Sequence, residues 1–336
     1  MYSNIPELAK LEQLIELHKH KLKAATLGFA YDKEQSFPIH GIELGSQSNT
    51  APTVIFVGGV HGVERIGSQV VIAFLSSLLE RLEWDLHFQQ LFTQVRVAFL
   101  PLLNPVGFFN NTRSNGQGID LMRNAPVDAI CRTTPLVGGH RISHRLPWFR
   151  GKEGLAPESQ ILVDFVSDLI KRSSITLSLD AHSGFGLRDY LWFPFAGNIA
   201  PYPMLAQTYG LMNLFDNTYP YHAHYKVSPQ SHFYTTHGDL WDYLSKQHKK
   251  ARFIPLTLEM GSWLWVKKNP RQLFNFAGFF NPQKQHRQER ILRRHTVLMD
   301  FLIQAAYSST SWWPEGKELT LLNDAAKRLW YTDLKR

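Results

Sequence analysis

The chain has 336 residues, 44% of them hydrophobic, which suits one large domain or two small ones with a sizeable core. Its net charge of +8, from 36 basic and 28 acidic residues, comes without a basic motif of nucleic-acid-binding type, so it reads as a solvated basic face that leaves an anionic substrate open. The single cysteine, Cys131, excludes an intramolecular disulfide or a cysteine metal cluster; the N-terminus carries acids and has no long apolar core, unlike a signal peptide; no window of 18 unbroken apolar residues exists to span a membrane; a cytoplasmic protein without nucleic-acid or membrane partners is expected.

Residues 6–22 read as a helix, since Leu8, Leu11, Leu14 and Ile15 recur at helical spacing and Leu22 continues that face. Residues 37–44 read as a strand carrying Ile39, Ile42 and Leu44. The run VIFV at residues 54–57 is short, apolar and rich in β-branched side chains, the pattern of a buried parallel strand. Gly58 and Gly59 then turn the chain, and His61 and Glu64 follow. Open α/β sheets place their chemistry just past the carboxyl ends of such strands. Residues 65–79 predict an amphipathic helix with Ile66, Val70, Ala73 and Phe74 on one face.

Residues 95–100 predict the next strand, and 110–124 a loop. Residues 125–154 show no period; an irregular stretch of that length inside a domain is often functional. A helix over 157–171 precedes a second buried strand over 175–179, which ends in DAHSGFG at residues 180–186. An aromatic strand (190–195), a helix (203–215), an aromatic loop (222–238) and a helix (239–248) come next. The strand FIPLTLEM at 253–260 carries Glu259, and one helix is expected over 287–306. Strands alternating with helices give an α/β fold with a largely parallel sheet.

Three strand ends thus offer His61 with Glu64, then His182, then Glu259. Two histidines and a carboxylate make a catalytic zinc ligand set with a fourth position open to water. A carboxylate that is not a ligand can take that water's proton, and Glu259 has this chemistry. On the loop TRSNGQGIDLMRN, Arg113 or Arg123 can stabilise an oxyanion or clamp a carboxylate. Asp120 between them can hold the second ring nitrogen of a ligating histidine.

These motifs resemble the zinc carboxypeptidases, the carboxypeptidase A-like metallopeptidases. The H-x-x-E motif is His61 to Glu64; N-P-D-G is nearly present at Asn104 to Gly107; Thr112 to Asn124 resembles a stretch of bacterial members that trim cell-wall peptides. D-x-H-S matches Asp180 to Ser183, and T-x-E-x-G matches Thr257 to Gly261. The resemblance implies one domain over 1–336, a three-layer α/β/α fold with a twisted, mostly parallel mixed sheet, and helical segments at 1–30 and 270–336. It implies one zinc ion on His61, Glu64 and His182, with Glu259 as general base. Arg113 would stabilise the oxyanion, Arg123 would bind the substrate's terminal carboxylate, and Asp120 would orient His61. The family's mobile tyrosine, eight residues before an aspartate, corresponds to Tyr234 ahead of Asp242; Tyr225 and Tyr221 compete for the role.

The sequence departs from the pattern at four places. Met122 stands where an asparagine normally assists the carboxylate clamp, Val106 replaces an aspartate, Val63 replaces a residue that can contact substrate, and Trp241 occupies a specificity-pocket position. The implied function is zinc-dependent hydrolysis of peptide or amide bonds by a metallocarboxypeptidase acting through a zinc-bound water. The alternatives are an N-acyl amino acid deacylase of the aspartoacylase type, acting on acyl-amino acids, and an inactive binding protein. Deacylases of that type add a β-rich domain after the base, whereas the 77 residues after Glu259 read as mainly helical.

Overall fold

Eight strands form one sheet in the computed structural model, which describes residues 4–33 and 35–332. The elements in chain order are α1 (Pro6–Leu17), β1 (Leu22–Asp32), β2 (Gln35–Gly45), β3 (Thr53–Gly58), α2 (Arg65–Trp84), α3 (Leu86–Phe92), β4 (Arg96–Leu100), α4 (Pro105–Asn110), α5 (Pro157–Lys171) and β5 (Thr176–Ser183). They continue with β6 (Asp189–Phe193), α6 (Leu205–Thr218), β7 (Tyr225–Pro229), α7 (Leu240–Gln247), β8 (Phe253–Met260), α8 (Trp263–Lys268), α9 (Gln285–Arg294), α10 (Thr296–Tyr307), α11 (Ser309–Trp312) and α12 (Gly316–Tyr331).

The sheet order is β1-β2-β4-β3-β5-β8-β6-β7. Its centre, β4-β3-β5-β8, is parallel. Antiparallel pairings join β2 to β4, β1 to β2 and β6 to β8, and β7 runs parallel to β6. The central strands β3, β5 and β8 are buried along their whole length, which is why they read as continuous apolar runs. Successive side chains alternate between faces: Val54 and Phe56 pack with α2, α6 and α10, and Ile55 and Val57 pack with α5 and α7. Helices therefore cover both faces, the expected three-layer α/β/α arrangement. In α2, Ile66, Val70, Phe74, Leu75 and Leu78 are all buried, each worth about 1.5–3 kcal/mol. That anchorage fixes the helix start, where Glu64 sits.

The edges differ from expectation. The segment expected to be helical over 1–30 holds α1 and then β1; Leu22 opens the strand rather than extending the helix. An edge strand exposed along much of its length needs no alternating pattern, so its sequence carries no strand period. β7 lies inside the expected 222–238 loop. The single helix expected over 287–306 is two, α9 and α10, meeting at His295. The junction is drawn to the sheet edge: Arg294 donates to Asp189 at 2.9 Å, and His295 Nδ1 lies 2.9 Å from the Tyr225 hydroxyl. The regular elements among the described residues after Met260 are helices and 3₁₀ turns. Residues 1–3 and 333–336 of the expected terminal helical segments lie outside the described residues.

Candidate active site

β3 and β5 are hydrogen-bonded neighbours, so their carboxyl ends bring His61 and Glu64 beside His182. β8 pairs with β5 on its other side, in a register that sets Glu259 against His182. Two glycines let the turn after β3 close. Gly59 takes φ +66°, and a Cβ on Gly62 would sit 2.0 Å from the Gly107 backbone. The HGVE turn thus rests on the NPVG turn. Asn104 braces the contact, accepting from Gly107 N at 2.8 Å and donating to Val60 O at 3.2 Å. From the C-terminal region, Asn281 accepts from Ile66 N at 2.9 Å and donates to Val63 O at 2.7 Å, clipping the Glu64 turn.

His61 Nδ1 lies 2.8 Å from Glu64 Oε1, His182 Nδ1 lies 3.0 Å from Glu64 Oε2, and the two Nδ1 atoms are 3.2 Å apart. Each ring is held through its far nitrogen: His61 Nε2 to Asp120 Oδ1 at 3.1 Å, His182 Nε2 to Asp180 Oδ2 at 2.8 Å. With those nitrogens as N–H donors, both Nδ1 lone pairs face one another, and a positive charge belongs between them. In the metal-free chain a proton can serve: burial opposes it, but Asp180 and Glu64 raise the His182 pKa well above its ordinary value. A tetrahedral zinc, with bonds of about 2.0–2.1 Å, separates its ligand atoms by roughly 3.3 Å, so these three buried residues fit such an ion.

The second layer is equally closed. Arg113 donates from Nη1 to Glu64 and from Nε to Asp120, both at 2.9 Å. Burial works against both acids, yet His61 and His182 hold the Glu64 carboxyl well below its usual range, and Arg113 and His61 do the same for Asp120. Glu259 goes the other way: burial, reinforced by the charge of Glu64, pushes it up to about 8. Of Glu64, Asp120 and Glu259, it alone is poised to exchange a proton near neutrality.

One cavity of about 790 Å³ is lined by His61, Glu64, His182, Arg113, Asp120, Arg123, Tyr234 and Glu259, so all eight residues singled out by sequence meet there. Arg123 is only 3% exposed. Its Nε donates to Val137 O at 3.2 Å and Nη1 to Met122 O at 3.3 Å, and no carboxylate pairs with it among the described residues. Tyr234 stacks 5.8 Å from its guanidinium, and burial raises the phenol pKa. The competing tyrosines lie elsewhere: Tyr225 on β7 beside His295, and Tyr221 at 98% exposure.

Two expectations about the cleft change. Val63 is buried and outside the cavity lining, its carbonyl spent on Asn281. Trp241 also lies outside the lining; its Nε1 donates to Asp180 Oδ2 at 2.9 Å from behind. Asp180, whose role sequence reasoning left open, thereby holds His182 from behind the cluster and would support a metal there. The signal was available, because D-x-H on a strand puts both side chains on one face. Asp180→Asn is expected to weaken metal binding about 10–100-fold, as loss of such a partner typically does. Titration against a chelating dye measures this, and unchanged affinity would remove Asp180 from the support.

The sequence profile of the zinc carboxypeptidase family matches residues 9–289. Carboxypeptidase E of Caenorhabditis elegans is 27% identical over 160 residues, covering 44% of this chain and 33% of the relative. The chain's matches span about a third or less of the length of its curated relatives. Carboxypeptidase A from Helicoverpa armigera superposes with a TM-score of 0.68 at 19% identity, covering 90% of this chain and 72% of that one. Bovine thrombin-activatable fibrinolysis inhibitor, solved in complex with tick carboxypeptidase inhibitor, gives 0.67 at 15% identity, covering 92% and 98%. The His61–Glu64–His182 cluster thus stands at the centre of a fold and a sequence profile that agree, and the chain belongs to the zinc carboxypeptidase family.

Proposed function

We propose that the protein is a metallocarboxypeptidase that removes the C-terminal residue of a peptide with one zinc ion on His61, Glu64 and His182. The observation that carries this is Arg123. Among the described residues Arg123 has no carboxylate at ion-pair distance, its charge reaching Asp120 and Asp239 at longer range; a buried guanidinium so placed is costly, and it lines the same cavity as His61, Glu64 and His182. A substrate's terminal carboxylate supplies the missing partner, in the bidentate geometry that guanidinium favours. The zinc, when bound, supplies Lewis acidity to the reaction centre. Glu259 accepts the proton of the attacking water and returns it to the leaving amine. Arg113, held by Glu64 and Asp120, presents charge to the carbonyl oxygen. Asp120 and Asp180 fix both imidazoles, and Tyr234 closes on the carboxylate beside Arg123. A deacylase of the aspartoacylase type gains no support, since the residues after Glu259 add no strand among those described and the relatives named are carboxypeptidases.

Arg123→Ala is expected to lower kcat/KM for a free-acid peptide about ten- to a hundredfold, the worth of a hydrogen bond to a charged group. Its amidated counterpart should be cleaved as before. Met122 offers no amide donor, so Arg123 carries the contact without the asparagine's help. Equal losses on both substrates would show that the enzyme reads something other than the carboxylate.

A further inference from the structure

The irregular segment 125–154 forms part of the cavity wall. Thr134 and Val137 line it, Val137 O accepting from Arg123 Nε, and residues 144–148 line it as well. The latter lie against the Arg113 loop: a Cβ on Gly118 would be 2.6 Å from His144 O, and Asn111 to Ser114 line the cavity beside them. A peptide with its carboxylate on Arg123 and its scissile carbonyl at Arg113 can pass its upstream residues along this wall.

We propose that residues 144–148 form a subsite for the residues ahead of the scissile bond, in which Arg145 recognises a side-chain carboxylate. This rests on the carboxypeptidase reading. Arg145 lines the cavity, and its guanidinium makes no hydrogen bond or ion pair among the described residues; only its backbone N–H is engaged, with Ser143 Oγ. The carboxylates that line the same cavity are Glu64, Asp120 and Glu259. The first two are committed to Arg113 and the imidazoles, and the third sits at the end of β8 against His182. Arg145 is exposed, so its positive charge faces solvent at the cavity wall and is open to a ligand.

The segment is built rather than slack. A bridge between His140 and Phe149 closes its base, with Arg150 N donating to His140 O at 2.8 Å and His140 N to Trp148 O at 3.2 Å. His140 Nε2 meets Pro147 O at 2.7 Å across the loop, and Arg141 Nη1 donates to Gly151 O at 2.8 Å. Asp120 N donates to Phe149 O at 2.8 Å, tying the base to the residue that holds His61. Trp148 is held at φ +64°, a backbone state a bulky side chain rarely takes, and it lines the cavity with Leu146 and Pro147. Strain kept in place by hydrogen bonds at a cleft wall marks a preorganised recognition surface, which loses little entropy on binding.

The test uses N-blocked tripeptides sharing one C-terminal residue and carrying Glu-Glu, Gln-Gln or Lys-Lys ahead of it. With the zinc-loaded protein, kcat/KM is expected to fall in the order Glu, Gln, Lys, with Glu over Gln by about two- to fivefold. Arg145→Ala should bring the Glu peptide down to the level of the Gln peptide and leave the latter unchanged. Arg145→Glu should reverse the order. A Glu preference that survives Arg145→Ala, or no Glu preference in the parent, overturns the proposal. Failure to hydrolyse any of the three would instead refute the carboxypeptidase reading. The subsite is then still decided by equilibrium binding of fluorescent forms of the same peptides to the parent and to Arg145→Ala.

Discussion

Glu259→Gln is expected to lower kcat by about 10²–10⁴-fold while metal content stays at the parent level. The amide keeps the shape of the side chain at the end of β8 but cannot accept the water's proton. The pH profile provides an independent check. Burial and the charge of Glu64 raise Glu259 to about 8, and a divalent cation on the neighbouring ligands lowers that value. Only the ionised form is a base, so activity should be full above the Glu259 pKa and fall as pH drops through it, with the midpoint below 8 in the metal-loaded enzyme. That acid limb should vanish from the residual activity of Glu259→Gln. A variant with the parent's rate would assign the base elsewhere.

Arg113→Met should act twice. Removing a preorganised cation from a developing oxyanion costs about 10²–10³ in kcat. Its other effect is on folding. Arg113 donates to Glu64 and Asp120, which are buried, so the variant leaves two carboxylates facing a methionine. Breaking a buried ion pair from one side costs about 3–5 kcal/mol. A bound dication relieves Glu64 of that burden, so thermal unfolding of the metal-free variant should show the larger loss. A variant equally destabilised with and without metal would indicate that Arg113 supports the fold through Asp120 alone.

The central strands were legible because burial on both faces forces apolar runs, and the ligands followed because each run stops at glycines and metal-type side chains. α5 was read over its full extent from Pro157 and its apolar spacing. What escaped lies where physical constraint is weaker. β1 and β7 are edge strands held by one partner each, and an edge strand needs no hydrophobic face of its own. The α9–α10 break depends on Arg294 and His295 meeting Asp189 and Tyr225, contacts of long sequence separation that no local window contains. Trp241 was misplaced for a similar reason. Its position in the motif suggested the pocket, but its indole had an acceptor behind the site, in Asp180.

The parallel pairing of β3, β5 and β8 bears on how the protein comes by its metal. Such pairings are non-local, each awaiting a long crossover, so this centre assembles slowly. His182 cannot meet His61 and Glu64 until it has, so the three-residue set is complete only after the sheet is paired. The apolar layers that hold the sheet are made of other residues. In this the chain is the opposite of a small zinc module, where metal and fold arrive together. The chain is therefore expected to fold first and to be loaded afterwards, with an idle apoprotein in the interval. The supply of zinc, rather than the rate of synthesis, can then set how much of it works.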